Sequence, residues 1–208
     1  MKVSLVIIGA AVLLFAWAGL GPFAERAFFV HMTMHMAVVA VAAPLIALGI
    51  ADSHWDPVRR WPGFFAPVPL SIAELIAVWA WHTPGLHHLA RHTLGGFVAE
   101  QAIFLIAGLL VWLSAFGGAR GNFNRTGAGI IGLLLTSMHM TLLGALLALT
   151  PRALYEHHQG FHSLTALGDQ QLGGAIMILI GGASYLAGGL CLSRGLLRER
   201  VTKTEFIA

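Results

Sequence analysis

The chain has 208 residues, 57% of them hydrophobic and 10% charged, with a formal net charge of +3 and a mean hydropathy of +0.79. A soluble globular domain carries about 25% charged residues, so a soluble enzyme and a disordered chain are both excluded. The lone cysteine, Cys191, excludes a disulfide scaffold, and basic residues that are scattered rather than gathered in a stripe argue against nucleic-acid binding.

Six apolar segments follow in chain order, at residues 3–20, 27–51, 67–83, 95–116, 127–149 and 171–193. Each approaches the ~20 residues that carry a helix across about 30 Å of hydrocarbon. Continuous apolar runs favour helices over the alternating strands of a barrel. The expected fold class is all-α: one polytopic transmembrane bundle of six helices, residues 1–208. The first segment carries Lys2, an apolar core and Ala16-Trp17-Ala18, which resemble a signal peptide with its cleavage site; it is read as a retained helix. Gly21-Pro22, Asp56-Pro57, Pro84-Gly85, Gly121-Asn122 and Thr150-Pro151 punctuate the joints. The stretch 84–92 reads as a short amphipathic helix on the outer surface.

Lys and Arg set the orientation. With the N-terminus inside, the inner segments hold Lys2, Arg59, Arg60, Arg120, Arg125, Arg194, Arg198, Arg200 and Lys203, and the outer ones only Arg26, Arg91 and Arg152. Both termini are therefore expected in the cytoplasm. His54 alone then falls in an inner loop, and the other ten of the eleven histidines lie in the outer half.

Within the second segment, His31-Met32-Thr33-Met34-His35-Met36 places two imidazoles at i and i+4, one turn apart on one helix face, as a metal or haem site requires. Met138-His139-Met140 sits in the fifth segment. The rise per residue puts both His35 and His139 about 12 Å beneath the outer boundary. Ionisable groups at a shared depth in hydrocarbon default to function. Thioether is a soft ligand suited to Cu(I), and imidazole accepts either copper oxidation state, so the expected metal ligands are His31, His35 and His139 with Met34, Met138 and Met140. His82 closes the third segment at its outer end and is a further candidate. Each methionine, taken alone, reads more simply as a filler of helix interfaces. Glu100 is expected to orient a ligand histidine or to pair with Arg91. Asp169 reads as the N-cap of the last helix, and Gln170 and Gln171 line the same outer cavity. His88 and His92, and likewise His158 and His162, are i, i+4 pairs in outer loops and complete the candidate set. Glu74 lies near mid-membrane, where a buried hydrogen bond is its simplest role.

The run from Phe23 to Met36, followed by Ala43-Pro44 and Gly49, resembles the opening signature of the CtaG-type membrane-integral cytochrome c oxidase assembly factors associated with caa3-type oxidases. Trp81-His82-Thr83-Pro84 with Phe104–Trp112 resembles their second block, and Gly168-Asp169-Gln170-Gln171-Leu172-Gly173-Gly174 their last. The resemblance covers residues 20 to 190 and implies a role in assembling the haem–copper oxidase by supplying copper. By motif it points to His31, His35, His82 and Asp169. Gln101 stands where the resemblance implies a histidine, and His87-His88 where it implies Tyr-Asp.

Three functions compete. The leading one is a non-enzymatic copper-binding assembly factor of the bacterial cytoplasmic (inner) membrane. It holds Cu(I) near the periplasmic leaflet and passes it to oxidase subunit I. A periplasmic copper chaperone as donor, the lipid bilayer and a homodimer are the other partners considered. The second is a metal-dependent membrane oxygenase, from the histidine boxes at 31–35, 87–92 and 157–162; such boxes characteristically face the cytoplasm, whereas the charge count puts these outside. The third is a haem b electron-transfer protein with His35 and His139 as axial ligands.

Overall fold

The computed structural model describes residues 2–118, 122–155 and 164–205, with side chains described as far as residue 197. Seven helices and no strand form among these residues. They are α1 (Val3–Ala24), α2 (Phe28–Ile50), α3 (Pro67–Trp81), α4 (Pro84–His92), α5 (Leu94–Phe116), α6 (Phe123–Leu149) and α7, the unbroken run of Ala166–Ile176, Met177–Gly181 and Gly182–Glu205. α1, α2, α5, α6 and the Ala166–Leu197 part of α7 are long and apolar enough to cross a membrane. The third predicted segment forms the shorter apolar helix α3, of 15 residues. The protein is a polytopic helical bundle, and α4 is the amphipathic helix expected at 84–92.

Local chemistry sets the boundaries. Proline stands in the first turn of α3 and of α4, where its missing N–H is not needed. Thr93, Asn122 and Thr165 cap α5, α6 and α7, each accepting a backbone N–H of the first turn. The last cap corrects the sequence reading. α7 starts at Ala166 rather than at 171, and its cap is Thr165, not Asp169. Asp169 lies inside the first turn and points across the bundle to α2. There its Oδ2 accepts the amide of Phe28 (2.7 Å) and its Oδ1 that of Phe29 (2.8 Å). The start of α2 is thus capped from a helix 141 residues away in sequence.

Three of the long helices contain a π-helical turn: Phe15–Leu20 in α1, Ala37–Ala42 in α2 and Met177–Gly181 in α7. A π turn displaces carbonyls from the regular ladder. In α2 these are taken up from neighbours: the Trp112 indole N–H donates to the Val39 carbonyl (3.0 Å) and the Ser184 hydroxyl to that of Ala40 (2.6 Å).

Small residues let the helices touch. A Cβ on Gly174 would come within 2.6 Å of the Ala148 nitrogen and the Gly144 oxygen, so α6 and α7 cross backbone against backbone. Near mid-bundle Glu74 is fully buried, and its Oε1 accepts the Tyr185 hydroxyl (3.0 Å). Ser71 and Thr136 pair beside it at 2.9 Å, and Trp112 stacks on the Tyr185 ring. This is the buried hydrogen bond expected for Glu74. Tyr185→Phe leaves that oxygen without its donor and is expected to cost about 1–3 kcal/mol. Chemical unfolding in detergent micelles measures it; unchanged stability would show that the carboxyl is satisfied without Tyr185.

Candidate functional site

The first turns of α2 supply the centre of the site. Helical spacing puts His31 and His35 one above the other, and both are fully buried. The face they share looks at the end of α3, at α4 and at α5. His82 is the C-terminal residue that closes α3. Its Nδ1–H donates to the Val78 carbonyl (2.6 Å), which leaves the Nε2 lone pair aimed into the bundle. The His82 ring lies 6.1 Å from that of His31 and 5.3 Å from that of His35, centroid to centroid. His87, on the buried face of α4, lies 5.0 Å from His31. Phe104 of α5 closes the inner side, 4.0 Å from His35.

Glu100 of α5 completes the group. Its Oε1 is 3.8 Å from His31 Nε2. One donor atom each from His31, His87 and Glu100 lie within 4.8 Å of one another. The other oxygen, Oε2, accepts from the Arg91 guanidinium of α4 and from Gln101 Nε2 (3.1 Å). Gln101 Oε1 in turn accepts the Trp17 indole N–H (3.1 Å). Arg91 is 8% exposed. Burial lowers its pKa from the ordinary guanidinium range, while Glu100 and Glu25 act to raise it.

Tyr155 closes the outer side. Its ring stacks on Phe28 at 4.4 Å and lies 4.4 Å from His87, and its hydroxyl donates to the His82 carbonyl (2.6 Å). Burial raises the phenol above its ordinary pKa of 10.0, which keeps that donor proton in place.

The residues fit a cation. Both ring nitrogens of His31 and His35, Nε2 of His82 and Oε1 of Glu100 are buried with no hydrogen-bond partner. Unsatisfied buried polar atoms are costly, and a bound ion would satisfy several at once. With metal–nitrogen bonds of about 2.0 Å, imidazoles on one ion have ring centroids roughly 5–6 Å apart. The spacings of His82 to His35 and of His87 to His31 fall in that range.

Other candidates are placed elsewhere. His139 is buried on α6, but among the described residues no ring contact or hydrogen bond joins it to His31, His35 or His82. A common depth is not a common azimuth. Met138 is 67% exposed on the outside of α6 and is no ligand of a buried site. Met140 lies with Met36 against Gly181 of α7. Met32 packs on Gly173, and Met34 is fully buried on the turn between the two histidines. Met32, Met36 and Met140 thus lie in helix interfaces. His88 and His92 face solvent on α4 with their rings 4.1 Å apart, away from the cluster. His158 and His162, with His157, lie outside the described residues. Gln170 does not line the cavity: its Oε1 accepts the Leu154 amide (2.6 Å) and its Nε2 donates to the Leu147 carbonyl (3.2 Å), which ties down the segment leading to Tyr155.

His87 is not among the expected copper ligands, and enters the sequence reading only through the histidine box at 87–92. The i, i+4 pair His88/His92 draws attention to one face of 84–92, while His87 and Arg91 share the same spacing on the face that turns inward.

A model of the cytochrome c oxidase caa3 assembly factor (Caa3_CtaG) family matches residues 2–199. The chain belongs to that family. No curated protein and no solved structure matches it. The match takes in every residue of the cluster, so the buried histidines lie inside the Caa3_CtaG region of the chain, as the likeness read from the His31–Met36 and Gly168–Gly174 blocks leads one to expect.

Proposed function

We propose that this caa3 assembly factor binds copper in the buried histidine cluster and supplies it to subunit I of the oxidase. The observation that carries the reading is the meeting of imidazoles with unpartnered ring nitrogens, from α2 and the end of α3, beside His87 and Glu100, in the interior of a membrane bundle. Imidazole suits copper in either oxidation state. On this reading the metal is a cargo rather than a resident cofactor, in keeping with membership in an oxidase assembly family. The charge asymmetry of the loops supports a position on the periplasmic side of the cytoplasmic membrane, within reach of a periplasmic copper donor.

A carrier must capture and then release. His31 and His35 are held by helix backbone, and the Nε2 of His82 is aimed by its own Nδ1 hydrogen bond. Incoming ligands on the oxidase would take the ion by stepwise exchange, one imidazole at a time. Such an exchange inside the bilayer spares the ion a passage through hydrocarbon as a bare charge.

The test is the double substitution His31→Ala with His35→Ala. Metal analysis should find the copper of the purified protein reduced to background, and that of the oxidase in the same membranes sharply lowered. Unchanged copper in both would sink the reading. An optical spectrum of the purified protein separates this reading from a haem protein with His35 and His139 as axial ligands: it should lack a Soret band.

A further inference from the structure

The cation already touching Glu100 belongs to the protein itself. Arg91 reaches one carboxylate oxygen from α4, and the other oxygen faces His31. A metal held by His31, His87 and Glu100 would be a second positive charge on the same carboxylate. Both cannot keep it at full strength, because like charges at this separation in a buried setting repel strongly.

Arg91 has somewhere to go. Its Nε and second terminal nitrogen are buried with no partner. The guanidinium lies over the Phe97 ring, 5.6 Å from the centroid. Phe97 and Arg91 together form part of the wall of a cavity of about 510 Å³ whose lining also includes Trp17, Glu25 and His92. Glu25 is exposed there and draws on the Arg91 charge. On one side of the guanidinium is a water-accessible vestibule with a carboxylate and an imidazole; on the other is the histidine cluster.

We propose that Arg91 is a built-in rival of the cargo metal: its guanidinium holds Glu100 when no metal is bound, and moves into the vestibule toward Glu25 when the metal takes that carboxylate. The proposal rests on the metal-binding reading of the cluster and adds the residue that sets its affinity. An exchange of partners keeps every charge compensated in both states. It also sets the affinity below what the ligands alone would give, which a carrier needs in order to let go.

The test is Cu(I) binding by the full-length chain in detergent micelles, with copper buffered by a competing chelator. Arg91→Gln removes the rival and should tighten binding by about tenfold, within the ordinary range for coupled equilibria. Glu25→Gln removes the alternative partner and should weaken binding. Arg91→Lys, which keeps the charge, should stay near the wild-type affinity. Weaker or unchanged binding in Arg91→Gln would overturn the proposal and leave Arg91 a structural partner of Glu100. Should Arg91→Gln fail to fold, Glu25→Gln decides, and an affinity equal to wild type there overturns it. The controls separate the two layers. If the wild-type chain fails to bind Cu(I), or the His31/His35 double variant binds as well as wild type, the metal reading itself is wrong.

Discussion

Asp169→Ala is expected to lower the stability of the folded protein by about 2–4 kcal/mol, from the loss of two charge-assisted hydrogen bonds at a buried helix start. Asp169 is 2% exposed, and its two oxygens satisfy the first two amides of α2. Alanine leaves those amides without an acceptor, and α2 frays where His31 is only three residues further on. On the proposed metal-binding reading, metal retention should therefore fall together with stability. Asp169→Asn keeps one acceptor oxygen and should lie in between. Denaturant titration in micelles, followed by helical circular dichroism, gives the stability, and metal analysis at the same protein concentration gives the retention. A chain as stable as wild type with alanine at this position would mean that α2 starts correctly without its remote cap.

Gly174→Val is the second large effect, about 3 kcal/mol, because overpacking at a backbone contact has nowhere to relax. The nearest neighbours of a new Cβ are backbone atoms of α6, the Ala148 nitrogen and the Gly144 oxygen. Neither can rotate away as a side-chain tip would, so α6 and α7 must separate. Gly189 of the same helix has nothing within 4 Å of a Cβ. Gly189→Ala should leave stability unchanged or slightly raised, since alanine favours a helix more than glycine does. Equal losses at the two positions would show that the effect comes from helix propensity and not from the crossing.

Much of the bundle was legible because the bilayer imposes long apolar runs, and the six segments return as six apolar helices. The surface helix at 84–92 was legible from its amphipathic spacing. The His31/His35 pair was legible because i, i+4 is a local relation that any helix enforces. Relations between distant elements were not. His35 and His139 were placed together by depth alone, and depth says nothing about the rotation of a helix about its axis. Asp169 stands close enough to a helix start to look like a local cap, but a threonine four residues earlier takes that role, and the carboxylate is left for α2. Met138, His139 and Met140 illustrate the same point within one turn: at 100° per residue they cannot all face one centre. His87 was missed because the phase of a nine-residue helix against its bundle is decided by packing, here by Tyr155, Phe28 and His31.

The 15 residues of α3 rise only about 22 Å, well short of an average hydrocarbon thickness near 30 Å. His82 stands at the end of this helix, and α4 turns back along the surface immediately after it. Lipid beside α3 has to thin or draw its headgroups inward to match so short a span. Hydrophobic mismatch thereby draws the aqueous boundary toward the ends of α3, and on the proposed copper-carrier reading an ion collected outside would have only a shallow, locally indented leaflet to descend.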